Sequence, residues 1–182
     1  LVTLHFNSGA TIVAKIEGFI SKFEVPYFTE TPEAQITIVC KDPMFRAINP
    51  VVMESTDLSS INPIMVPDSM STAPHGFSMD VIFTDPSTTF LIQDDPTHPE
   101  WTFKVTPGGF GFVIGDHLYF CSEYTNRYLY MVRGGVTTHL LDKIEPGSIW
   151  PTIFPGFNTF QIVTLPKLNW GSLQYYAAYW GV

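Results

Sequence analysis

The densest set of groups able to do chemistry is Asp94-Asp95-Pro96-Thr97-His98-Pro99-Glu100, which offers three carboxylates and an imidazole within seven residues. Oxygen-rich loops of this kind hold hard divalent cations. The spacing matches neither a calcium loop nor a zinc pattern such as HExxH, and two prolines stiffen the backbone that would wrap the ion. A solvated hairpin loop without metal is the expectation. Pro107-Gly108-Gly109-Phe110-Gly111 superficially resembles a phosphate-cradling glycine loop. That chemistry needs a Lys-Ser/Thr pair and a helix behind the loop, whereas here the chain continues as strand, so a tight turn is expected. Gly134-Gly135, between Arg133 and Val136, reads as a hairpin turn.

Nucleophiles fare no better. Ser148 and Ser172 follow glycine but lack the G-x-S-x-G frame, and His5, His75, His98, His117 and His139 are dispersed without a partner motif. An enzyme would need His98 or His117 to meet a carboxylate in a pocket. No catalytic residue is assigned, and no cofactor is called for. Cys40 and Cys121 lie far apart in strand-like segments and read as two buried thiols or as one bridge across the core. Aromatic residues are the remaining candidates. Trp101, Tyr124 and Trp180 could form a protein interface or a glycan-stacking platform, while Tyr128 with Tyr130 reads as a half-buried stripe on one strand face.

The elements that would position these groups are strands. Val2, Leu4 and Phe6 alternate with Thr3 and His5, a turn follows at Asn7-Ser8-Gly9, and Thr11 to Ile20 alternates in turn, which makes a hairpin. Gly18 suggests a bulge. Gln35 to Cys40 is a third strand, rich in β-branched residues. From Ala47 to Gly76 four prolines fall among Ser, Thr and Asp, as a stiff connection in which short strands pack on a neighbouring surface. Strands then recur at Phe77–Thr84, Thr88–Gln93, Trp101–Val105, Phe110–Ile114, His117–Cys121, Tyr128–Val132, Phe157–Thr164 and Ser172–Tyr179. Short strands separated by turn residues predict a sandwich or jelly roll. Thr138 to Ile144 is the one helical hint, with Leu140, Leu141 and Ile144 on a common face.

Composition agrees. The chain has 182 residues with 13 Gly and 15 Pro, and its longest stretch free of both runs from Asp116 to Arg133, which leaves little room for long helices. Charged residues are 14%, against about 25% in an ordinary soluble domain, while aromatics reach 15%. Nine Lys+Arg against 17 Asp+Glu give a net charge of -8. Sparse, scattered cations argue against sequence-specific nucleic-acid binding, and no apolar run approaches the ~20 residues of a membrane span. A first residue Leu1 that already begins a strand reads as a piece of something longer.

Two stretches carry a resemblance. Gly18-Phe19-Ile20, then Phe28, then Pro32-Glu33-Ala34-Gln35-Ile36-Thr37-Ile38-Val39-Cys40-Lys41-Asp42-Pro43-Met44-Phe45-Arg46 is similar to a pattern of siphovirus-type distal tail proteins. Gly115-Asp116-His117-Leu118, then Ser148-Ile149-Trp150 through Pro155-Gly156-Phe157-Asn158-Thr159-Phe160, then Tyr175 to Val182 resemble the later steps of the same family. The resemblance implies an all-β protein: a galectin-like or jelly-roll β-sandwich preceded by strands from the end of a second, ring-type β domain. It implies residues 1–48 as the end of that ring domain, 49–75 as the Pro-rich connection and 76–182 as the C-terminal sandwich. It implies a structural phage-tail protein of the virion, made in the host cytoplasm and sited at the tail tip or baseplate. The partners implied are tail-tube, baseplate or tip and receptor-binding proteins, with a homohexamer for the full-length protein and no membrane insertion. The alternative is a carbohydrate-binding module attaching to host-surface glycans through Trp101, Tyr124 and Trp180. Only Asn126-Arg127 and Trp170-Gly171 echo a galectin sugar site, so lectin activity is not carried over.

Overall fold

The alternation that opens the chain folds into a long hairpin, β1 (Val2–Ser8) against β2 (Thr11–Glu24). The computed structural model describes residues 1–25, 34–40, 42, 44–54, 64–94, 101–109, 111–163 and 168–180. On the other edge of β2 lie β3 (Gln35–Cys40) and β4 (Phe45–Ala47), one after the other: Gly18 faces both Val2 and Cys40, and Ala14 faces both Phe6 and Ala47. Gly18 is therefore no bulge. The irregularity falls between Ile20 and Lys22, and Gly18 is glycine because a Cβ there would sit 2.7 Å from Val39 O and 2.9 Å from Cys40 Sγ.

Two further sheets form the sandwich. β5 (Val51–Glu54) and β6 (Ile64–Asp68), both within the Pro-rich segment, are edge strands of different sheets. Pro67 is tolerated in β6 because an edge strand can spare a donor. With β7 (Ser78–Phe83), β10 (His117–Cys121), β11 (Tyr128–Arg133), β12 (Val136–His139) and β14 (Leu168–Tyr175), the larger sheet runs β12-β11-β10-β7-β14-β5. The smaller sheet runs β6-β13-β8-β9, with β8 (Phe90–Asp94), β9 (Thr102–Val105) and β13 (Gly156–Ile162).

Inward residues of the two sheets make one core, and phenylalanine dominates it: Phe77, Phe83, Phe90, Phe103, Phe112, Phe120 and Phe160 are fully buried. Rings cross between sheets, Phe103 meeting Phe120 edge-on at 5.1 Å between centroids and Phe83 meeting Phe90 at 6.4 Å. Such pairs add about 1 kcal/mol each beyond their burial. Outside the core, Tyr130 stacks on Tyr119 and meets Tyr128 at a tilt, which makes a stripe on the outer face of the larger sheet, as the shared face of Tyr128 and Tyr130 suggests.

Three expectations need correction. Thr138 to Ile144 is the end of β12 followed by a single 3-10 turn, Leu141–Lys143, because Leu140 is buried while Leu141 is exposed and no helical face forms. Within Phe110–Ile114 the described residues form no strand, only an isolated bridge from Phe112 to Ser87; Phe110 lies outside the described residues. Ser172–Tyr179 is not one strand either. β14 ends at Tyr175, whose ring enters the sandwich core, and β15 (Ala178–Tyr179) leaves to pair with β4 in the five-stranded sheet.

Candidate functional site

The residues that carry the family resemblance turn out to be joints. Asp116 is buried and accepts from Arg133 Nε at 2.8 Å, Arg133 Nη2 at 2.6 Å and the Val113 amide at 2.8 Å. Burial by itself would raise its carboxyl, yet these donors hold it below the usual carboxylate range. Ser148 Oγ caps the open edge of β9, donating to Lys104 O at 3.2 Å and accepting from Lys104 N at 3.1 Å. Trp150 packs on Phe103 and Phe120, with the Arg127 guanidinium 5.1 Å above its ring. Asn158 grips the backbone on both sides of Phe154, accepting from its N–H and donating to its carbonyl, each at 2.8 Å. Asp42 holds the Met44 amide at 3.1 Å and Arg46 at 2.8 Å, and Arg46 reaches on to Glu123 at 2.9 Å.

The groups able to do acid–base chemistry sit elsewhere. Asp68, Ser71 and His75 meet in the interior, a set that sequence spacing gave no reason to join. His75 Nε2 lies 3.0 Å from Asp68 Oδ2 and 3.1 Å from Ser71 Oγ, while Nδ1 lies 3.0 Å from Gly76 O. Hydroxyl and carboxylate share one ring nitrogen and all three side chains are buried, so this is no nucleophile relay, which places them on opposite nitrogens. Burial would raise Asp68, but the hydrogen bonds from Ser71 and His75 outweigh it and keep the carboxyl low. His117 Nδ1 stands 3.8 Å from Asp80 Oδ1, beyond hydrogen-bond reach and on the outer face of the larger sheet. Asp80 Oδ1 finds no donor among the described residues, and burial raises that carboxyl, offset only in part by His117.

A cavity of about 450 Å³ opens between β2 and the turn after β10, lined among others by Lys15, Glu17, Arg46, Glu123, Asn126 and Tyr176. The lining cations are already spoken for, Lys15 by Glu17 at 3.6 Å and Arg46 by Asp42 and Glu123. Among the described residues no three His, Cys, Asp or Glu side chains gather as a metal site; 95–100, with His98, lie outside them. The same holds for Phe28, Pro32, Glu33, Lys41, Pro43, Gly181 and Val182 of the resemblance. Cys40 and Cys121 are free thiols.

The three aromatic candidates stand on three different elements. Trp101 precedes β9 and is 40% exposed, Tyr124 lies in the turn after β10 at 75%, and Trp180 follows β15 at 55%. Arg127 lies over the Tyr124 ring at 5.4 Å, and Trp180 is pinned by its amide to Thr72 Oγ1 at 3.0 Å.

A larger surface feature was hidden by the bulge in β2. Register places Val2, Leu4, Phe6, Ala14, Ile16, Ile20, Phe23, Ile36, Ile38 and Cys40 on one face of the five-stranded sheet, with Lys15, Glu17, Lys22 and Glu24 on the other. The apolar face is covered near β4, where Phe6 meets Phe45 edge-on at 4.6 Å and Ala14 and Ile16 are buried. Toward the far end of β2 it is bare, with Phe23 60% and Ile36 51% exposed.

This fold, a Phe-filled sandwich carrying an extra hairpin sheet completed by β15, is similar to that of a phage hub protein of the Dit type. Its structure is similar to that of SPP1 Dit (gp 19.1), a hub adsorption protein in Gram-positive infecting phages, with a TM-score of 0.62 and 14% identity over 90% of this chain. A chain of the phage P2 baseplate, in its activated conformation with Ca, matches with a TM-score of 0.50 and 10% identity over 96% of this chain. This chain spans 60% of the SPP1 protein's length and 67% of the P2 chain's. No family model and no curated protein matches the sequence.

Proposed function

We propose that this chain is a structural component of a siphovirus tail, the C-terminal portion of a distal tail protein that joins the tail tube to the baseplate or tip. The observation that carries this reading is the bare apolar end of the five-stranded sheet. Exposed Leu4, Ile20, Phe23 and Ile36 share one face, an arrangement that marks a surface meant to be covered by protein. In this reading residues 1–48 belong to the ring-type domain, 49–75 connect and 76–182 project outward. The full-length protein forms the homohexameric ring, in contact with tail-tube, baseplate and receptor-binding proteins, in the virion. The role is architectural, not enzymatic. The fold shared with SPP1 Dit and the P2 baseplate chain supports it.

Co-production with the tail-tube and baseplate proteins of the same phage, followed by size-exclusion chromatography with light scattering, tests the proposal. The native chain co-elutes with at least one of them, and Phe23→Glu with Ile36→Glu abolishes co-elution while thermal unfolding of the sandwich is unchanged. Absence of any complex for the native chain overturns the reading. Trp101, Tyr124 and Trp180 belong, in the same proposal, to the outward contact surface. Alanine at each of them, assayed both on a glycan array and against the tail partners, separates protein contact from glycan attachment.

A further inference from the structure

His75 sits where the three sheets meet. Its loop, 68–76, leaves the smaller sheet at Asp68, passes under Tyr175 of the larger sheet, whose ring stacks on the imidazole at 5.2 Å, and grips β15 of the five-stranded sheet. That grip consists of four hydrogen bonds: Ala178 N–H to Ser71 Oγ at 3.0 Å, Thr72 N–H and Ala73 N–H to Ala178 O at 2.9 and 3.1 Å, and Trp180 N–H to Thr72 Oγ1 at 3.0 Å. β15 has two residues and pairs only with β4 in its sheet, so these bonds fasten the five-stranded sheet to the sandwich.

Nδ1 of His75 faces the Gly76 carbonyl and Nε2 faces the Asp68 carboxylate, both acceptors, so a ring carrying both protons satisfies each of them. The Ser71 hydroxyl, which can donate or accept, also lies near Nε2 while it accepts from the Ala178 amide. A second line of charge leads out from the same ring. Glu123 feels the His75 charge and bonds Arg46 of β4, which in turn bonds Asp42. With the imidazolium, Asp42, Arg46, Glu123, His75 and Asp68 alternate in sign across the junction between the five-stranded sheet and the sandwich, and a cavity opens beside Arg46 and Glu123.

We propose that His75 is a proton-operated latch: with the imidazolium in place its loop holds β15 and keeps the five-stranded sheet docked, and loss of the ring proton releases that hold. Without the Nε2 proton only the Ser71 hydroxyl can satisfy that nitrogen, Asp68 is left buried without its cation, and Glu123 keeps Arg46 alone. The groups facing the ring are Asp68 from β6, Ser71 and Gly76 O from its own loop, Tyr175 from β14 and Glu123 after β10. The hold weakens once the ring gives up the proton it shares with Asp68. The inference is independent of the tail assignment, since it concerns one chain alone.

Nitrogen-15 NMR of the whole chain reads both halves of the proposal. The expected result is protons on both His75 nitrogens while the sheet is docked. As the ring loses its second proton with rising pH, exchange of the Thr72, Ala73, Ala178 and Trp180 amides, corrected for the intrinsic rate, should quicken at least about tenfold relative to Val81 and Phe120. A singly protonated ring in the docked state, or an equal response in both sets of amides, overturns it. His75→Gln, which still donates to Asp68 but cannot titrate, should abolish the pH dependence at those four amides. Persistence of that dependence in the variant overturns the latch, and should the variant not fold, the native titration decides.

Discussion

Arg133, the last residue of β11, holds the buried carboxylate of Asp116 with two of its nitrogens and the Gly111 carbonyl with one of them, at 2.8 Å. The ends of β11, the turn before β10 and the loop before Phe112 are thereby tied by one guanidinium.

Replacing Arg133 with Met should cost about 2–4 kcal/mol in urea unfolding, since it strands a buried charge; the value falls toward the lower end because Arg133 itself is partly in water. Lysine should not restore the loss, lacking the two-pronged geometry. The sign with pH follows from the depressed Asp116 carboxyl: its contribution is present above the ordinary aspartate range and disappears as pH falls through the depressed value. Unfolding curves of Arg133→Met and the native chain should converge in acid.

Asp80 behaves in the opposite sense. Its carboxyl is raised by burial and its Oδ1 has no donor among the described residues, so the ionised form costs stability that the protonated form does not. Asp80→Asn should stabilise the chain by about 1 kcal/mol at neutral pH, and the gain should vanish once the native aspartate is itself protonated. Denaturant melts at neutral and acid pH provide the comparison.

Arg46 and Glu123 should respond unequally. Burial raises Glu123 despite the cations of Arg46 and His75, so Glu123→Gln removes a costly charge and should change stability by less than about 1 kcal/mol. Arg46→Met leaves Asp42 and Glu123 without their cation and should cost about 3 kcal/mol. Calorimetric melting of the two variants measures the difference.

Gly76→Ala should be among the most damaging single changes. A Cβ there would lie 2.5 Å from the Ser122 carbonyl carbon and press on the Glu123 amide, all backbone that cannot swing away. Overpacking of this kind costs about 1–3 kcal/mol or more. A loss below about 0.5 kcal/mol, measured by urea titration, would contradict the geometry.

Period-2 alternation was enough to place β7, β10 and β11, because each buries one face, and it also placed β1 and β2, although β1 has no buried residue. β12 escaped notice since Val136-Thr137-Thr138-His139 is a polar edge strand with little to bury, and the two left-handed glycines before it, Gly134 at φ 55° and Gly135 at φ 82°, were the visible sign. The split between β14 and β15 leaves no mark in composition, because Tyr175 and Tyr179 are the same residue type serving two different sheets. Asp68, Ser71 and His75 form no recognisable spacing; they meet only because the chain turns back after an edge strand. The apolar face of the first sheet was half legible. Beyond Ser21 the bulge shifts the phase, so Phe23 joins Ile20 and Gly18 on one side although the sequence count puts it on the other.

The pairing of Ala178 with Arg46 also sets an order of events. A sheet begun by β1 and β2 cannot be finished until residue 179 has left the ribosome, so its hairpin waits through the synthesis of the sandwich with an apolar side uncovered. Pairings this distant in sequence close late and slowly. The sandwich should therefore fold first and serve as the template on which the older strands finally settle, which makes the nascent hairpin the part of the chain most in need of a chaperone.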